Sequence, residues 1–205
     1  MRFPSSGLYA ITQTENKSAD TVINEVEAAI KGGAAVVQYR DKHPLDAPFL
    51  ARELVKVCHR HSVPLLINDD IELAALVNAD GVHIGKEDGA VAQARKRLGN
   101  AAIIGVSCYD SVEQAIAAQS QGATYAAFGR FFPSSSKPLA APAHIETLRQ
   151  AKLKLTIPLV AIGGILPENG AQLVAAGADL LAVIGGIFEH RPEQSARAYQ
   201  ALFSR

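Results

Sequence analysis

Short apolar runs alternate with longer amphipathic stretches along the whole chain. Most of the runs are apolar at consecutive positions, which is typical of strands covered on both faces in a parallel sheet. The runs cover residues 7–12, 34–40, 64–69, 81–85, 102–107, 125–129, 158–164 and 180–185. The chain is therefore organised as eight strand-then-helix units of roughly 25 residues each.

The stretches between the runs carry helix signals. In the first of them, Val22, Val26 and Ile30 recur at helical spacing. Ser111 has the character of an N-cap, with Gln114 three residues later. Helices are predicted over residues 20–31, 46–61, 111–121, 167–176 and 192–203.

Eight such units in a chain of 205 residues predict an α/β fold, a single (β/α)8 TIM barrel in which residues 1–205 form one domain. No linker rich in Pro, Gly or Ser divides the chain. The alternative is an open, doubly wound sheet. It is less favoured because no turn carries G-x-G-x-x-G and because the number of units matches barrel closure.

Composition narrows the class of protein. Hydrophobic residues make up 48% and charged residues 20%, which excludes intrinsic disorder. Twenty basic and twenty acidic residues give no net charge, so a general nucleic-acid binder is not indicated. No apolar run is long enough for a membrane span, and we expect a cytoplasmic protein. Cys58 and Cys108 are interpreted as reduced, apolar residues.

Candidate chemistry lies at the carboxyl ends of the strands, where barrel active sites form. Strand two ends in residues 38–42, and alternation would place Gln38, Arg40 and Lys42 on one side of the chain. An amide and two cations suit an anionic ligand. The alternative is a solvated strand edge.

Aspartates follow the next two strands. Asp69 follows strand three and Asp88 follows strand four, so the two carboxylates could face one cation. Oxygen ligands without a thiolate or paired histidines favour Mg²⁺ over zinc. The alternative for each aspartate is a helix cap, and Asp70 is expected to cap a helix that begins at Ile71.

The later strands offer further polar groups. Ser107 could donate a hydrogen bond to a ligand, but no adjacent base is evident to make it a nucleophile. His83, in the middle of an apolar run, is interpreted as a core residue. The loop over residues 130–142 carries serines and Lys137, which suit phosphate, and is long enough to fold over a ligand; an ordinary loop is the alternative. Glycines at 163–164 and 185–186 would leave backbone N–H groups open to an anion.

These segments, taken in order, resemble the motifs of the thiamine phosphate synthase (thiamine-phosphate pyrophosphorylase) family. The similar segments are residues 38–42, 68–70, 81–88, 104–107, 129–137 and 161–165, together with the end of strand eight. The resemblance implies a transferase that joins 4-amino-2-methyl-5-hydroxymethylpyrimidine diphosphate to 4-methyl-5-(2-phosphoethyl)thiazole. The products would be thiamine phosphate and pyrophosphate, formed through a dissociated pyrimidine methylene cation.

The resemblance also implies roles for individual residues. Asp69 and Asp88 would hold Mg²⁺. Arg40, Lys42 and Lys137 would act in catalysis by stabilising the pyrophosphate leaving group. The pyrimidine diphosphate would be held by Gln38, Tyr39, Arg40, Asp41, Lys42, Asn68, Ser107 and Lys137. The thiazole phosphate would be held by Ser134, Ser135, Ser136, Gly164, Ile184 and Gly185. A serine is common in the family where Gly185 stands.

Three alternatives stay open at this point. They are a thiazole tautomerase on the same fold, a non-catalytic protein that binds thiamine precursors, and a generic phosphate-binding isomerase barrel. The joint presence of Asp69, Asp88, Arg40, Lys42 and Lys137 favours the synthase. The expected partners are small-molecule substrates, with no nucleic acid and no membrane. Whether the chain forms a homo-oligomer is left open.

Overall fold

Eight parallel strands close into a barrel in the computed structural model, which describes residues 1–85, 90–133 and 141–204. Each strand pairs with the next in sequence, and the eighth pairs with the first. The strands are β1 Gly7–Ile11, β2 Ala34–Tyr39, β3 Leu65–Asn68, β4 Gly81–Ile84, β5 Ile103–Tyr109, β6 Tyr125–Phe128, β7 Leu159–Ile162 and β8 Leu180–Val183. The predicted TIM barrel is confirmed, and the open-sheet alternative is wrong.

Helices connect the strands. They are α1 Ala19–Lys31, α2 Ala47–Arg60, α3 Ile71–Val77, α4 Ala90–Leu98, α5 Val112–Ser120, α6 Ile145–Lys154, α7 Pro167–Ala175, α8 Gly185–Phe188 and α9 Pro192–Gln200, with a final 3-10 turn over Ala201–Phe203. Ser111 is the N-cap of α5, since its hydroxyl accepts a hydrogen bond from the N–H of Gln114. None of the described helices combines the length and apolar character needed to cross a bilayer.

The strands are apolar at consecutive positions because they separate two cores. Val36 is buried inside the barrel, whereas its neighbour Val37 is buried between the strands and the surrounding helices. Neither side chain is exposed to solvent. Each strand therefore buries both of its faces, as the sequence pattern predicts.

The amino end of the barrel is closed by the chain itself. The ring of Phe3 stacks on Tyr125, with 4.2 Å between ring centroids, and meets Tyr9 edge-on. At the start of β4, the Asp80 N–H donates to the carbonyl of Leu65, and the Leu65 N–H donates to the Asp80 carboxylate. Asp179, before β8, makes the same reciprocal pair of bonds with β7. The open end of the barrel is the opposite one.

Candidate active site

A cavity of about 440 Å³ lies at the carboxyl ends of the strands. Its wall includes side chains or backbone from all eight strands or the turns that follow them. This is the end of the barrel at which the sequence places its candidate chemistry. The cavity is therefore the candidate active site.

Most of the predicted site residues within the described part of the chain meet in this cavity. Those on its wall are Gln38, Arg40, Asn68, Asp69, Ser107, Gly164, Ile184 and Gly185. Tyr39, Asp41 and Lys42 are not on its wall. Asp88, Ser134, Ser135, Ser136 and Lys137 lie outside the described residues, and their proposed roles stay predictions.

The end of β2 explains why neighbouring residues differ. Gln38 points into the barrel, whereas Tyr39 is buried in the outer core between strands and helices and does not reach the cavity. Its neighbour Arg40 lies on the cavity wall, held by Thr12 after β1. The Arg40 N–H donates to the Thr12 hydroxyl at 2.9 Å, and that hydroxyl donates back to the Arg40 carbonyl at 3.0 Å.

The alternation predicted for residues 38–42 does not extend to Lys42. Because β2 ends at Tyr39, the chain turns after Arg40, and Asp41 stabilises the turn by accepting a hydrogen bond from the His43 N–H. Lys42 is exposed to solvent. In this structure the cation that β2 contributes to the cavity is Arg40.

Two adjacent aspartates after β3 have different surroundings. Asp70 caps α3, since its carboxylate accepts a hydrogen bond from the Leu73 N–H at 2.8 Å, and the predicted cap is confirmed. Asp69 is exposed on the cavity wall, with a backbone φ of +62°. Its N–H donates to the carbonyl of His83, which holds this left-handed turn in place. The Asp69 carboxylate accepts a hydrogen bond from the Asn68 amide at 2.7 Å.

The chemistry at Asp69 fits a hard cation. Its carboxylate faces the cavity because Asp70, not Asp69, supplies the helix cap. Carboxylate oxygens are the ligands that Mg²⁺ prefers. Among the described residues, no three or more His, Cys, Asp or Glu side chains are grouped to hold a metal ion.

Glycines shape the wall after β7 and β8. Gly164 has a φ of +62°, and a Cβ at this position would lie 2.2 Å from the carbonyl oxygen of Pro133. Glycine is thus required for the close approach of the turns after β6 and β7. Gly185 begins α8, and a Cβ there would lie 2.7 Å from a carboxylate oxygen of Glu189. A serine at this position would need only the end of the Glu189 side chain to turn aside.

A chain of hydrogen bonds crosses the cavity floor. The Gln38 amide donates to the Tyr9 hydroxyl at 2.7 Å, which lies 2.8 Å from the Tyr125 hydroxyl. The Tyr125 hydroxyl lies 2.9 Å from Nδ1 of His83, and His83 Nε2 lies 2.9 Å from the Ser107 hydroxyl. We refer to these five side chains as the floor relay.

The floor relay corrects two sequence interpretations. His83 is not a core residue, since it lies on the cavity wall. Ser107 does have an imidazole beside it, because Nε2 of His83 lies 2.9 Å from its hydroxyl oxygen. The imidazole is oriented by a tyrosine hydroxyl, whereas the histidine of a hydrolytic triad is oriented by a carboxylate.

Charge is concentrated on the cavity wall as well. Arg130, two residues after β6, lies there together with Arg40, as does His190 after α8. Glu189 adds a carboxylate and accepts a hydrogen bond from the Gln13 amide at 3.2 Å. The arrangement suits an anionic ligand with a polar body.

Comparison with known proteins agrees with this geometry. Residues 8–187 match the family model described as thiamine monophosphate synthase. The chain belongs to this family. It is 50% identical over 188 residues to the thiamine-phosphate synthase of Methylococcus capsulatus, covering 91% of this chain and 84% of that protein. It is also 50% identical over 204 residues to that of Marinobacter nauticus, covering 97% and 91%.

A solved structure extends the comparison to the fold. The thiamine phosphate pyrophosphorylase from Pyrococcus furiosus superposes with a TM-score of 0.87 at 28% identity, over 98% of this chain and 96% of that chain. The predicted family is confirmed, and the member described here is a transferase. This outcome argues against a non-catalytic binding protein.

Sequence reasoning missed several members of the site. Tyr9 and Tyr125 lie inside apolar runs, Arg130 lies two residues beyond the end of β6, and Glu189 follows the short helix α8. The signal that could have found them is the position of each residue within or after a strand. A tyrosine at an inward-facing strand position needs a partner for its hydroxyl, and a charged residue directly after a barrel strand lies at the active end.

Proposed function

We propose that this transferase catalyses the Mg²⁺-dependent joining of 4-amino-2-methyl-5-hydroxymethylpyrimidine diphosphate and 4-methyl-5-(2-phosphoethyl)thiazole. The products are thiamine phosphate and pyrophosphate. One observation carries the proposal: Gln38, Arg40, Asp69 and Ser107 converge on one cavity in a chain half identical to proteins named thiamine-phosphate synthase. Those names also favour the synthase over a thiazole tautomerase.

The reaction breaks the bond between the pyrimidine methylene carbon and a diphosphate oxygen. The electron pair leaves with pyrophosphate, and the lone pair of the thiazole nitrogen forms the new C–N bond. Negative charge builds on the departing oxygens, so fixed cations at that point lower the barrier. Arg40 supplies a permanent charge on the cavity wall, and Arg130 a second one. Lys42 and Lys137 are proposed to add to this field when substrate is bound.

The methylene cation left behind must meet the thiazole before it meets water. Apolar wall residues, among them Ile11, Val160 and Ile162, surround the polar groups of the cavity. The loop that contains residues 134–136 and Lys137 is proposed to cover the ligand and exclude solvent. No protein nucleophile takes part in this scheme.

Asp69 is proposed to hold Mg²⁺ together with Asp88. When bound, the ion would offset the charge on the diphosphate oxygens. The exposed Asp69 carboxylate and the neighbouring Asn68 amide support this role. Asp70 has no such role, because its carboxylate caps α3.

The thiazole phosphate is proposed to bind at the glycine-rich wall after β7 and β8, with the serines at 134–136. Gly164, Ile184 and Gly185 line this part of the cavity. Gly185 and Gly186 have no side chain to cover their backbone N–H groups, which suit a phosphate oxygen.

Pyrophosphate release tests the proposal. The protein is mixed with both substrates and Mg²⁺, and each component is then omitted in turn. We expect release only when all three are present, with an equal amount of thiamine phosphate. Release without the thiazole phosphate would indicate a diphosphate hydrolase. Binding of thiazole phosphate without any release would indicate a tautomerase or a binding protein.

A further inference from the structure

We propose that the floor relay is polarised from Gln38 to Ser107, so that His83 keeps its proton on Nε2 and the Ser107 hydroxyl donates toward the ligand. Tyr9, Tyr125 and His83 are then positioning residues that act through Ser107. The tautomer of His83 is argued from the contacts of the relay and the orientation of the Gln38 amide, whereas the effect on turnover rests on the proposed function.

The relay is continuous and drawn from separate strands. Its members come from β2, β1, β6, β4 and β5, and successive polar atoms lie 2.7 to 2.9 Å apart. Gln38, Tyr9 and Tyr125 are almost fully buried, with 2%, 1% and 0% exposure. Buried polar groups of this kind must satisfy one another, because water does not reach them.

The direction of the hydrogen bonds follows from counting hydrogens. Burial raises the pKa of both Tyr9 and Tyr125, so each hydroxyl keeps its single hydrogen at neutral pH. Tyr9 receives a hydrogen from the Gln38 amide and passes its own to Tyr125. Tyr125 in turn donates to Nδ1 of His83.

The histidine transmits this direction to Ser107. In a neutral imidazole one nitrogen carries the hydrogen and the other accepts. Since Nδ1 accepts from Tyr125, Nε2 carries the hydrogen and donates to the Ser107 oxygen. The hydrogen of the Ser107 hydroxyl is then available to an acceptor atom of the ligand in the cavity.

The same polarity explains why a serine beside a histidine need not be a nucleophile. A protonated Nε2 cannot take the proton of Ser107, so His83 is not its general base. Turning the Gln38 amide over would reverse every hydrogen in the relay and make Nε2 an acceptor. The two arrangements therefore predict opposite tautomers for His83.

Nitrogen-15 NMR of the ligand-free protein distinguishes them. The chain has six histidines, and the His83 signals are assigned by their loss in His83→Gln. We expect a protonated Nε2 and an unprotonated Nδ1 in the wild type, and a mixture of tautomers in Tyr125→Phe. The control is Tyr199→Phe, which removes a buried hydroxyl outside the relay and should leave the His83 signals unchanged. A protonated Nδ1 in the wild type would overturn the proposal, as would an unchanged tautomer in Tyr125→Phe.

Kinetics supply the second measurement. Loss of one buried hydrogen bond predicts a fall in kcat/KM of about tenfold for Tyr125→Phe, against less than about twofold for Tyr199→Phe. His83→Gln retains an amide that can donate to Ser107, whereas His83→Leu does not. We expect the Gln variant to keep clearly more activity than the Leu variant, and equal loss in both would contradict a donor role. A wild type that releases no pyrophosphate would sink the proposed function, and the NMR result would still decide the polarity of the relay.

Discussion

Asp69 and Asp80 show how differently the two ends of the barrel use the same side chain. Asp69 follows β3 at the carboxyl end, is exposed, and accepts a hydrogen bond from the adjacent Asn68. Asp80 precedes β4 at the amino end, and its side chain is only 6% exposed. It accepts hydrogen bonds from the Met1 amino group, the Leu65 N–H and His59.

The difference indicates that polar groups at the amino end of the barrel serve stability, whereas those at the carboxyl end serve catalysis. At the amino end, polar groups are satisfied by one another, and Asp179 repeats the arrangement with the Leu159 N–H and Lys152. At the carboxyl end, Asp69 and Arg40 line a cavity and present charge to it. Substitutions at the first end should therefore change the melting temperature, and substitutions at the second should change turnover.

Asp69→Asn should have the largest effect on activity. The amide fits the same left-handed turn but removes the charge proposed to hold Mg²⁺, so we expect turnover to fall about 100-fold or more. The melting temperature should move by no more than about 2 °C, since the residue is exposed. Steady-state pyrophosphate release measures the expected fall in turnover, and thermal unfolding measures the melting temperature. Full turnover in this variant would remove Asp69 from the metal site.

Gly164→Ala should lower both turnover and stability. The left-handed φ costs about 1–2 kcal/mol for alanine. In addition, the new Cβ would meet the Pro133 carbonyl and displace the turn after β6, so turnover should fall about 10- to 100-fold. The matched control is Gly99→Ala, which also has a positive φ but meets no atom within 4 Å. It should lose stability alone, and equal loss of turnover in both would show that contact with Pro133 is unimportant.

Asp80→Asn should lower stability and spare turnover. Breaking a buried, charged hydrogen-bond cluster costs about 1–3 kcal/mol, which is roughly 2–12 °C in melting temperature for a chain of this size. Turnover measured well below the melting temperature should stay within about twofold of the wild type. A large loss of turnover without a loss of stability would break the separation of the two ends.

The pH dependence of this effect has a definite sign. Burial acts to raise the pKa of Asp80, but hydrogen bonds from the Met1 amino group, the Leu65 N–H and His59 outweigh it, and the pKa is lowered. The stabilisation is therefore present above the unfolded-state pKa of about 4 and is lost as the pH falls through the folded-state value. The difference in melting temperature between wild type and Asp80→Asn should shrink below about pH 4. A constant difference down to pH 2 would show that the charge contributes nothing.

Much of the fold could be predicted because its determinants are local. Consecutive apolar positions mark strands buried on both faces, and the number of strand-then-helix units predicts a closed barrel. The caps at Ser111 and Asp70 could be predicted for the same reason, since a cap depends on residues only three positions apart.

The floor relay could not be predicted because its contacts are not local. Tyr9 and Tyr125 lie 116 residues apart in sequence and on strands that do not pair. Tyr39 and Lys42 lie away from the cavity wall for another reason. A motif resemblance carries over a whole segment, whereas alternation brings only every second residue to the cavity and stops where the strand ends.

Phe3→Ala tests the closure of the amino end. Phe3 packs against the rings of both relay tyrosines from below, so its loss should cost about 1–3 kcal/mol. Turnover should be retained, because the hydrogen bonds of the relay do not involve Phe3. Phe49→Ala, at a half-exposed helical site, should change the melting temperature much less. A fall in turnover that matched the loss seen in Tyr125→Phe would show that closure of the amino end also positions the site.

Ser107 and Cys108 are adjacent residues, one on the cavity wall and one in the outer core. Substitution of Cys108 should have the smallest effect on turnover and stability. Ser107 lies on the cavity wall, whereas Cys108 is fully buried in the outer core. Burial raises the pKa of Cys108 to about 12, so its thiol should resist alkylation at pH 8 until the protein unfolds.

Cys108→Ala should keep turnover within about twofold and lose about 1 kcal/mol of stability, because it removes only buried packing. Ser107→Ala should show the reverse pattern, since it removes a donor from the cavity and little packing. An inactive Cys108→Ala enzyme with normal stability would mean that the outer core also contributes to the chemistry.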